Sequence, residues 1–221
     1  MKRKLKTITI CFILVFFLFF IFNHSIRNIF ISENIDHYAL SKYSIEDIEK
    51  NQAKDGHFDF SNTSSLSLTT VLSVLPKKLL VVGAISVPDL SIDLPIFLGV
   101  DNSTIATGAG TMKAYQEMGK GNYALASHNL IKSAPKLLFS PLTKAKAGMA
   151  IYLTDKSEIY QYKIVKIETV KPDQIDVIEN HSDQKEVTLV LCSDEQETAR
   201  LIIHGDFVKS FAFSAKQRIF Y

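Results

Sequence analysis

Cys192 and Arg200, eight residues apart, are the side chains in this sequence best placed for nucleophilic chemistry. The run VTLVLC alternates like a β-strand, so Val190 and Cys192 share one face and Leu191 points to the other. The polar loop SDEQETA follows, and Arg200 begins the next predicted strand, RLII. If these strands pair as an antiparallel hairpin, the arginine lies beside the thiol, where it favours a thiolate and stabilises an oxyanion.

The position of Cys192 at the end of a strand does not show whether its thiol is reactive, because a lone cysteine more often packs as a small apolar side chain. The other cysteine, Cys11, lies inside an apolar run, so the two cysteines of the chain do not predict a disulfide. The formal net charge is +2 over 221 residues. Because no cluster of bases and aromatic residues follows the N-terminal segment, nucleic-acid binding is not expected.

A thiol nucleophile usually needs an imidazole, and the sequence offers two histidines in strands of its C-terminal part. His128 ends the run NYALASH, on a face shared with Ala124 and Ala126, whose small side chains leave room for an extended peptide. His204, in RLIIHGDF, is closer to Cys192 along the chain. The pattern favours His128 without excluding His204, since a lone histidine is often a structural residue.

The N-terminus carries four basic residues within MKRKLK, followed by 16 residues, Thr7 to Phe22, without a charge. This arrangement predicts a cytoplasmic tail over residues 1–6 and an uncleaved signal anchor over residues 7–26. A cleaved signal peptide is the alternative, although the run ends in FNHSIRNIF, which has no small-residue cleavage site. We therefore expect a single-pass protein of the cell membrane whose remaining chain is extracellular.

The exported part divides into two predicted regions. Residues 27–78 are polar and mixed, which indicates an extracellular stalk or linker with a short helix in SIEDIEK, capped by Ser44. Residues 79–221 carry seven or eight short predicted strands, a pattern typical of an all-β barrel or sandwich with few helices. Short helical segments are expected between Gly108 and Gly121 and around Pro141.

Several blocks together resemble a class A sortase: GAGTMKAYQEMGKGNYALASHNL, LFSPL, GMAIYLTD, TLVLC and the Arg200 of RLII. The similarity runs from Val82 to about Phe213 in the family's order and spacing. It implies an eight-stranded sortase-type β-barrel with one or two short helices, preceded by a transmembrane helix and a stalk. It also implies that Cys192 is the nucleophile, His128 the general acid and base, and Arg200 the residue that stabilises the oxyanion and holds the peptide.

The resemblance implies a cysteine transpeptidase of Gram-positive cell walls. Such an enzyme cleaves surface proteins at an LPxTG-type sorting signal through a thioester and transfers them to a peptidoglycan-precursor amine, with hydrolysis as a side reaction. The expected partners are therefore the sorted proteins, the precursor and the cell membrane. We assign substrate binding to six residues: Ala124, Ala126, Ser127, Val177, Ile178 and Val190.

The loop before the cysteine strand forms part of the peptide groove in this family, and here it reads KPDQIDVIENHSDQK. Val177 and Ile178 are its apolar residues, and they would serve equally well to anchor the loop to the core. Some family members bind calcium beneath this loop, for which the candidates are Asp173, Asp176 and Glu179. We nevertheless expect no required metal and no other cofactor.

One position departs from the family motif TLxTC, because Leu191 replaces the threonine before the cysteine. Its side chain should point away from Cys192 and affect packing more than chemistry, which leaves rate and substrate preference open. The alternative function is a membrane-tethered, non-catalytic binding or assembly module that kept the barrel. Papain-like and L,D-transpeptidase enzymes are disfavoured, since His128 precedes the cysteine by 64 residues and no SxGC motif surrounds the thiol.

Overall fold

The computed structural model describes residues 4, 12, 23–59, 66–74, 77–181, 184–193, 198–217 and 219–220. Of the predicted membrane anchor, residues 7–26, only residues 12 and 23–26 are described, so most of it lies outside the described residues. Among the helices that are described, none has both the length and the apolar composition that a bilayer span requires.

The described residues form eight β-strands: β1 (Val81–Val87), β2 (Ile92–Phe97), β3 (Ala109–Thr111), β4 (Gly121–Ala126), β5 (Ala150–Thr154), β6 (Glu158–Val170), β7 (Lys185–Cys192) and β8 (Arg200–Ala212). They close into a barrel in the order β1-β2-β3-β4-β7-β8-β6-β5. The β2–β3 and β4–β7 pairs are parallel, whereas the other pairs are antiparallel. This closed barrel confirms the predicted eight-stranded fold, and closure pairs every described strand on both sides.

The barrel core is filled by the side chains that alternate inward along each strand. In β7, Val187, Leu189 and Leu191 are all fully buried in the main core. Because successive side chains of a strand point to opposite faces, Val190 and Cys192 lie on the outer face. The prediction that Leu191 points away from Cys192 is therefore confirmed.

Helical segments precede and connect the strands: α1 (residues 23–37), α2 (Ile45–Gln52), α3 (Leu68–Val74), α4 (Asn102–Ile105) and 3-10 helices at Leu40–Lys42, Pro88–Leu90, Ser140–Lys144 and Asp176–Ile178. Ser44 caps α2 through a capping box with Asp47, which confirms the helix predicted there. The 3-10 helix that contains Pro141 also matches its prediction. Between Gly108 and Gly121 the expected helix is absent from the described structure, because Ala109–Thr111 is held extended by pairing with β2 and β4.

The predicted stalk, residues 27–78, packs against the barrel. Ile31 of α1 and Val71 of α3 are fully buried in the same core as the strands, and Ile48 of α2 is buried against Ala84 of β1. Burial of each such side chain stabilises the fold by roughly 1.5–3 kcal/mol. A chain cut at residue 79 would lose these contacts and expose apolar barrel surface, so experiments on this protein should retain the helices.

Candidate active site

The parallel pairing of β4 and β7 brings the C-terminal ends of both strands to the same end of the barrel. The chains continue side by side beyond that pairing. Ser127 N donates to Val190 O at 3.2 Å, and the Asn129 side chain donates to Cys192 O at 2.8 Å. His128, between these two tethers, is therefore held at the level of Cys192.

The antiparallel pairing of β7 and β8 places Cys192 directly opposite Arg200. This register confirms the hairpin expected from the short loop between them. The side chains of directly opposed residues lie on the same face of a sheet, with Cα atoms about 4.5–5.5 Å apart. Both residues are partly exposed, so the thiol and the guanidinium share an accessible outer face.

The competing histidine, His204, lies further along β8. It pairs in register with Thr188, four residues from Arg200, which corresponds to about 13 Å along the strand. Its Nε2 is 3.0 Å from Glu168 Oε1, and its Nδ1 is 3.4 Å from Thr188 Oγ1. The imidazole at the level of the thiol is therefore that of His128.

His128 is almost completely buried, and its surroundings disfavour the charged imidazolium. Burial, followed by the positive charge of Arg27, lowers the pKa of His128 to about 4. Its Nε2 has no hydrogen-bond partner among the described residues. An imidazole with this pKa is neutral at pH 7, so the resting side chain can accept a proton from a thiol.

Arg27 reaches this site from α1, outside the barrel. Its Nη2 donates to Ser133 Oγ at 2.6 Å and its Nη1 donates to Leu66 O at 3.2 Å. The neighbouring Asn28 side chain donates to Ser133 O at 2.8 Å. The bonds to Ser133 attach α1 to the loop that follows His128, and the bond to Leu66 attaches it to the segment before α3. Sequence reasoning missed this contact, because an isolated arginine in a polar segment carries no periodic signal.

Replacing Arg27 with glutamine is expected to raise the pKa of His128, because the substitution removes a nearby positive charge. The protonated imidazole would then form at higher pH, and the acidic limb of the kcat/KM profile would move up by roughly half to one pH unit. Lys42→Gln, which removes an exposed positive charge beyond the far end of α1, is the matched control. If the kcat/KM profiles of wild type and Arg27→Gln have the same acidic limb, the charge of Arg27 does not act on His128 and this prediction is wrong.

A cavity of about 710 Å³ adjoins Arg200 on the outer face of the barrel. Val177, Ile178 and Val190, which were predicted to bind substrate, line this cavity. Val177 and Ile178 also pack against the apolar cluster that contains Val190 and Ile202. The two loop residues therefore anchor the loop and line the cavity, so the two roles that the sequence left open are compatible.

The segment before the barrel forms another part of the cavity wall, through Phe58 and Asp59. It is attached to the barrel by a hydrogen bond from Val100 N to His57 O at 2.6 Å. Met112, just after β3, also lines the cavity. No local pattern predicted these residues, because contacts between irregular segments that are distant in the chain leave no periodic signal.

The remaining residues predicted to bind substrate are buried and do not line this cavity. Ser127 Oγ donates to Gly108 O at 2.6 Å, which holds it toward the turn before β3. Ala126 belongs to the apolar cluster beneath the cavity, and Ala124 is fully buried in β4. The substrate-binding role of these three residues stays a prediction.

The acidic residues that the sequence offered as candidate calcium ligands lie in the loop that follows β6. Asp173 lines the cavity, whereas Asp176 begins the short 3-10 helix and Glu179 follows it. Among the residues that the structure describes, no group of three or more histidine, cysteine, aspartate or glutamate side chains is arranged to hold a metal ion. That the protein requires no metal stays a prediction, as does any modulation of this loop by calcium.

Known proteins similar to this chain share one family description. A family model for the sortase domain matches residues 85–208. Sortase A of Streptococcus agalactiae serotype III (strain NEM316) is 44% identical over 199 residues, which cover 88% of this chain and 81% of that protein. Sortase A of Listeria monocytogenes serovar 1/2a (strain ATCC BAA-679 / EGD-e) is 36% identical over 208 residues, covering 93% and 92%. The crystal structure of Listeria monocytogenes sortase A is similar at a TM-score of 0.58 and 35% identity, over 62% of this chain and 92% of that chain.

Proposed function

The chain belongs to the sortase family, and from this premise we propose that it cleaves surface proteins at an LPxTG-type signal and joins them to a peptidoglycan-precursor amine. Like the sortases that it resembles, the protein is a cysteine transpeptidase that anchors surface proteins. The observation that supports the detailed proposal is the strand register, in which Cys192 lies opposite Arg200 and the segment that carries His128 continues beside Cys192, with Arg200 lining the cavity. The non-catalytic binding module is not favoured.

The first half of the proposed reaction forms a thioester. The Cys192 thiol attacks the carbonyl carbon of the signal's threonine while neutral His128 accepts the thiol proton, which the lowered pKa of that imidazole permits. The carbonyl oxygen becomes an oxyanion, and the positive charge of Arg200 stabilises it. The imidazolium of His128 then returns its proton to the nitrogen of the departing glycine as the carbon–nitrogen bond breaks.

The second half transfers the acyl group to the acceptor. The precursor amine attacks the thioester carbonyl, and His128 takes a proton from the attacking nitrogen. A carbon–nitrogen bond forms, the carbon–sulfur bond breaks, and the proton returns to the sulfur of Cys192. No net oxidation or reduction occurs, and water in place of the amine would give hydrolysis.

The cavity beside Arg200 is proposed to receive the leucine and proline of the signal. Its lining includes the apolar side chains of Val177, Ile178 and Val190, and its volume of about 710 Å³ is within the range of small-ligand sites. Apolar side chains of the signal would gain free energy on leaving water there. Arg200 at the rim would then lie beside the scissile carbonyl.

The proposal also includes a membrane position for the protein. The basic run MKRKLK and the uncharged residues 7–22 support a single-pass anchor with the N-terminus in the cytoplasm and the barrel outside the cell. Alkaline carbonate extraction should leave the full chain with the membrane, and protease added to intact cells should digest the barrel. Release into the soluble fraction would contradict the anchor.

The proposed activity is tested with the full-length chain in detergent, a fluorogenic peptide that carries an LPxTG signal, and triglycine. We expect cleavage between threonine and glycine and a product in which triglycine replaces the leaving segment. A peptide with the threonine and glycine of the signal exchanged is the substrate control. Binding of the intended peptide without cleavage or thioester would support the non-catalytic module instead.

Arg200→Ala is expected to lower kcat/KM by about 10²–10³-fold, since it removes the positive charge that faces the developing oxyanion. Arg200→Lys should recover only part of this loss, because lysine keeps the charge but lacks the planar fork of donors. The control is Lys209→Ala, an exposed cation further along the same strand. Near wild-type kcat/KM in Arg200→Ala would exclude the proposed oxyanion role.

A further inference from the structure

We infer that Asn122 is a positioning residue that fixes the wall of the peptide groove, an inference that rests on the proposed function. The wall in question is the groove loop, residues 171–184, which joins β6 to β7 and presents Val177 and Ile178 to the cavity. Asn122 lies near the start of β4 and is only 1% exposed. A buried asparagine of this kind must have its polar atoms satisfied within the protein.

The groove loop receives hydrogen bonds from both the side chain and the backbone of Asn122. The side-chain Nδ2 donates to Val177 O at 3.2 Å and to Glu179 O at 3.1 Å. The backbone N donates to Asn180 Oδ1 at 3.0 Å. One residue of β4 thus holds the segment that carries the groove side chains at three of its residues.

The opposite side of the same amide is fixed by β7. Thr188 Oγ1, which is fully buried, donates to Asn122 Oδ1 at 2.8 Å. Thr188 Oγ1 is also 3.4 Å from His204 Nδ1, and His204 Nε2 is 3.0 Å from Glu168 Oε1. These contacts orient the amide so that its oxygen faces β7 and its nitrogen faces the groove loop.

The described residues of the groove loop, 171–181 and 184, have little regular structure to hold them in place. Its only described helical segment is the three-residue 3-10 helix Asp176–Ile178, and Ile175 beside it is 70% exposed. Lys113 Nζ adds a further tether to Asn180 Oδ1 at 2.8 Å, but this bond is solvent-exposed. The hydrogen bonds from Asn122 are partly buried, so water competes with them less than with the exposed bond from Lys113.

Asn122 lies far from the reacting atoms. An effect of its side chain on peptide binding can therefore be measured separately from an effect on the chemical step. Asn122 pairs in register with Glu186, six residues before Cys192 on β7, or about 20 Å along the strand. Loss of its side chain should loosen the groove wall without moving the thiol, the imidazole or the guanidinium. The expected signature is a change in KM for the sorting peptide with little change in kcat.

The test compares Asn122→Ala with Asn51→Ala in the full-length chain. Asn51 is a matched control, because it is also a buried asparagine whose amide donates to a strand carbonyl, Val81 O at 2.9 Å, but it lies in α2. Asn122→Ala should raise KM for the LPxTG peptide about tenfold and leave kcat within about twofold. Asn51→Ala should change neither constant, although it removes a comparable bond.

A second readout does not depend on turnover. Hydrogen–deuterium exchange of the segment 175–180 should be about tenfold faster in Asn122→Ala than in wild type and unchanged in Asn51→Ala. Thr188→Val keeps the side-chain shape and removes the donor to Asn122 Oδ1 at 2.8 Å, together with a longer contact to Val177 O at 3.4 Å. It should shift KM and exchange in the same direction by about threefold. If Asn122→Ala does not fold, Thr188→Val provides the test in its place.

The outcomes separate this inference from the proposed function. If wild type does not turn over the peptide, the proposed function fails, whereas the exchange measurement still tests the role of Asn122. Unchanged exchange of the groove loop in both Asn122→Ala and Thr188→Val would overturn the inference. A loss confined to kcat, or an equal rise of KM in Asn51→Ala, would overturn it as well.

Discussion

Cys192→Ala is expected to abolish transpeptidation, lowering kcat/KM by at least about 10³-fold, because no thiol remains to form the acyl intermediate. Alanine fits within the space of the thiol, and Leu191 beside it remains packed in the barrel core. The groove is therefore retained, and the variant should still bind the LPxTG peptide with an affinity close to that of wild type. Product formation and peptide binding are measured separately, by chromatography and by fluorescence anisotropy.

The matched control for this experiment is Cys11→Ala, which removes the other cysteine of the chain. We expect it to retain wild-type activity, because Cys11 lies in the predicted membrane anchor. Substantial transpeptidation by Cys192→Ala would show that another group forms the covalent intermediate. A loss shared equally by both variants would indicate a general effect of cysteine replacement.

His128→Ala is expected to lower kcat/KM by about 10²–10⁴-fold, which is the range for loss of a positioned acid or base. The reason is that the thiol proton then has no nearby acceptor and the departing glycine nitrogen has no donor. Since burial and Arg27 lower the pKa of His128 to about 4, wild-type activity should persist to lower pH than an ordinary histidine would allow. Rates measured across that range in wild type report the imidazole directly.

His37→Ala is the control for His128→Ala, because His37 is an exposed histidine of α1 that contacts Tyr38. It should leave kcat/KM unchanged. His204→Ala provides the comparison with the other histidine that the sequence offered. A loss in His204→Ala that equals or exceeds the loss in His128→Ala would contradict the assignment of the acid and base.

The sequence predicted the parts of the site that depend on local geometry. Strand alternation has a fixed period of two, so the opposite directions of Cys192 and Leu191 followed directly from VTLVLC. The short loop before Arg200 likewise predicted that a hairpin brings Arg200 near Cys192, and the structure pairs the two residues directly. Because Leu191 is fully buried in the core, any effect of this departure from the family motif must act through the position of β7.

The choice between His128 and His204 required information that the pattern alone did not contain. It depends on the parallel pairing of β4 with β7, two strands that are distant in the chain. The resemblance to the family supplied that choice, and the strand register now gives it a physical basis. Arg27 and Phe58 were missed for a related reason, since each lies in a segment whose contacts are set by tertiary packing.

The expected helix between Gly108 and Gly121 illustrates the same limit at a smaller scale. Ala109–Thr111 is only three residues long, and its extended form is stabilised by β2 and β4. Gly119 and Tyr115 adopt positive φ angles of 77° and 55°, which interrupt a helix. Local helix propensity is weak compared with such tertiary contacts.

The most direct test of the account is the intact mass of the full-length chain, quenched in acid during turnover of an LPxTG peptide. We predict a mass increase equal to the acyl fragment that ends at the signal's threonine, mapped to Cys192 after digestion. Hydroxylamine or triglycine should remove the adduct, as expected for a thioester. Turnover with the acyl fragment attached to a residue other than Cys192 would contradict the central claim.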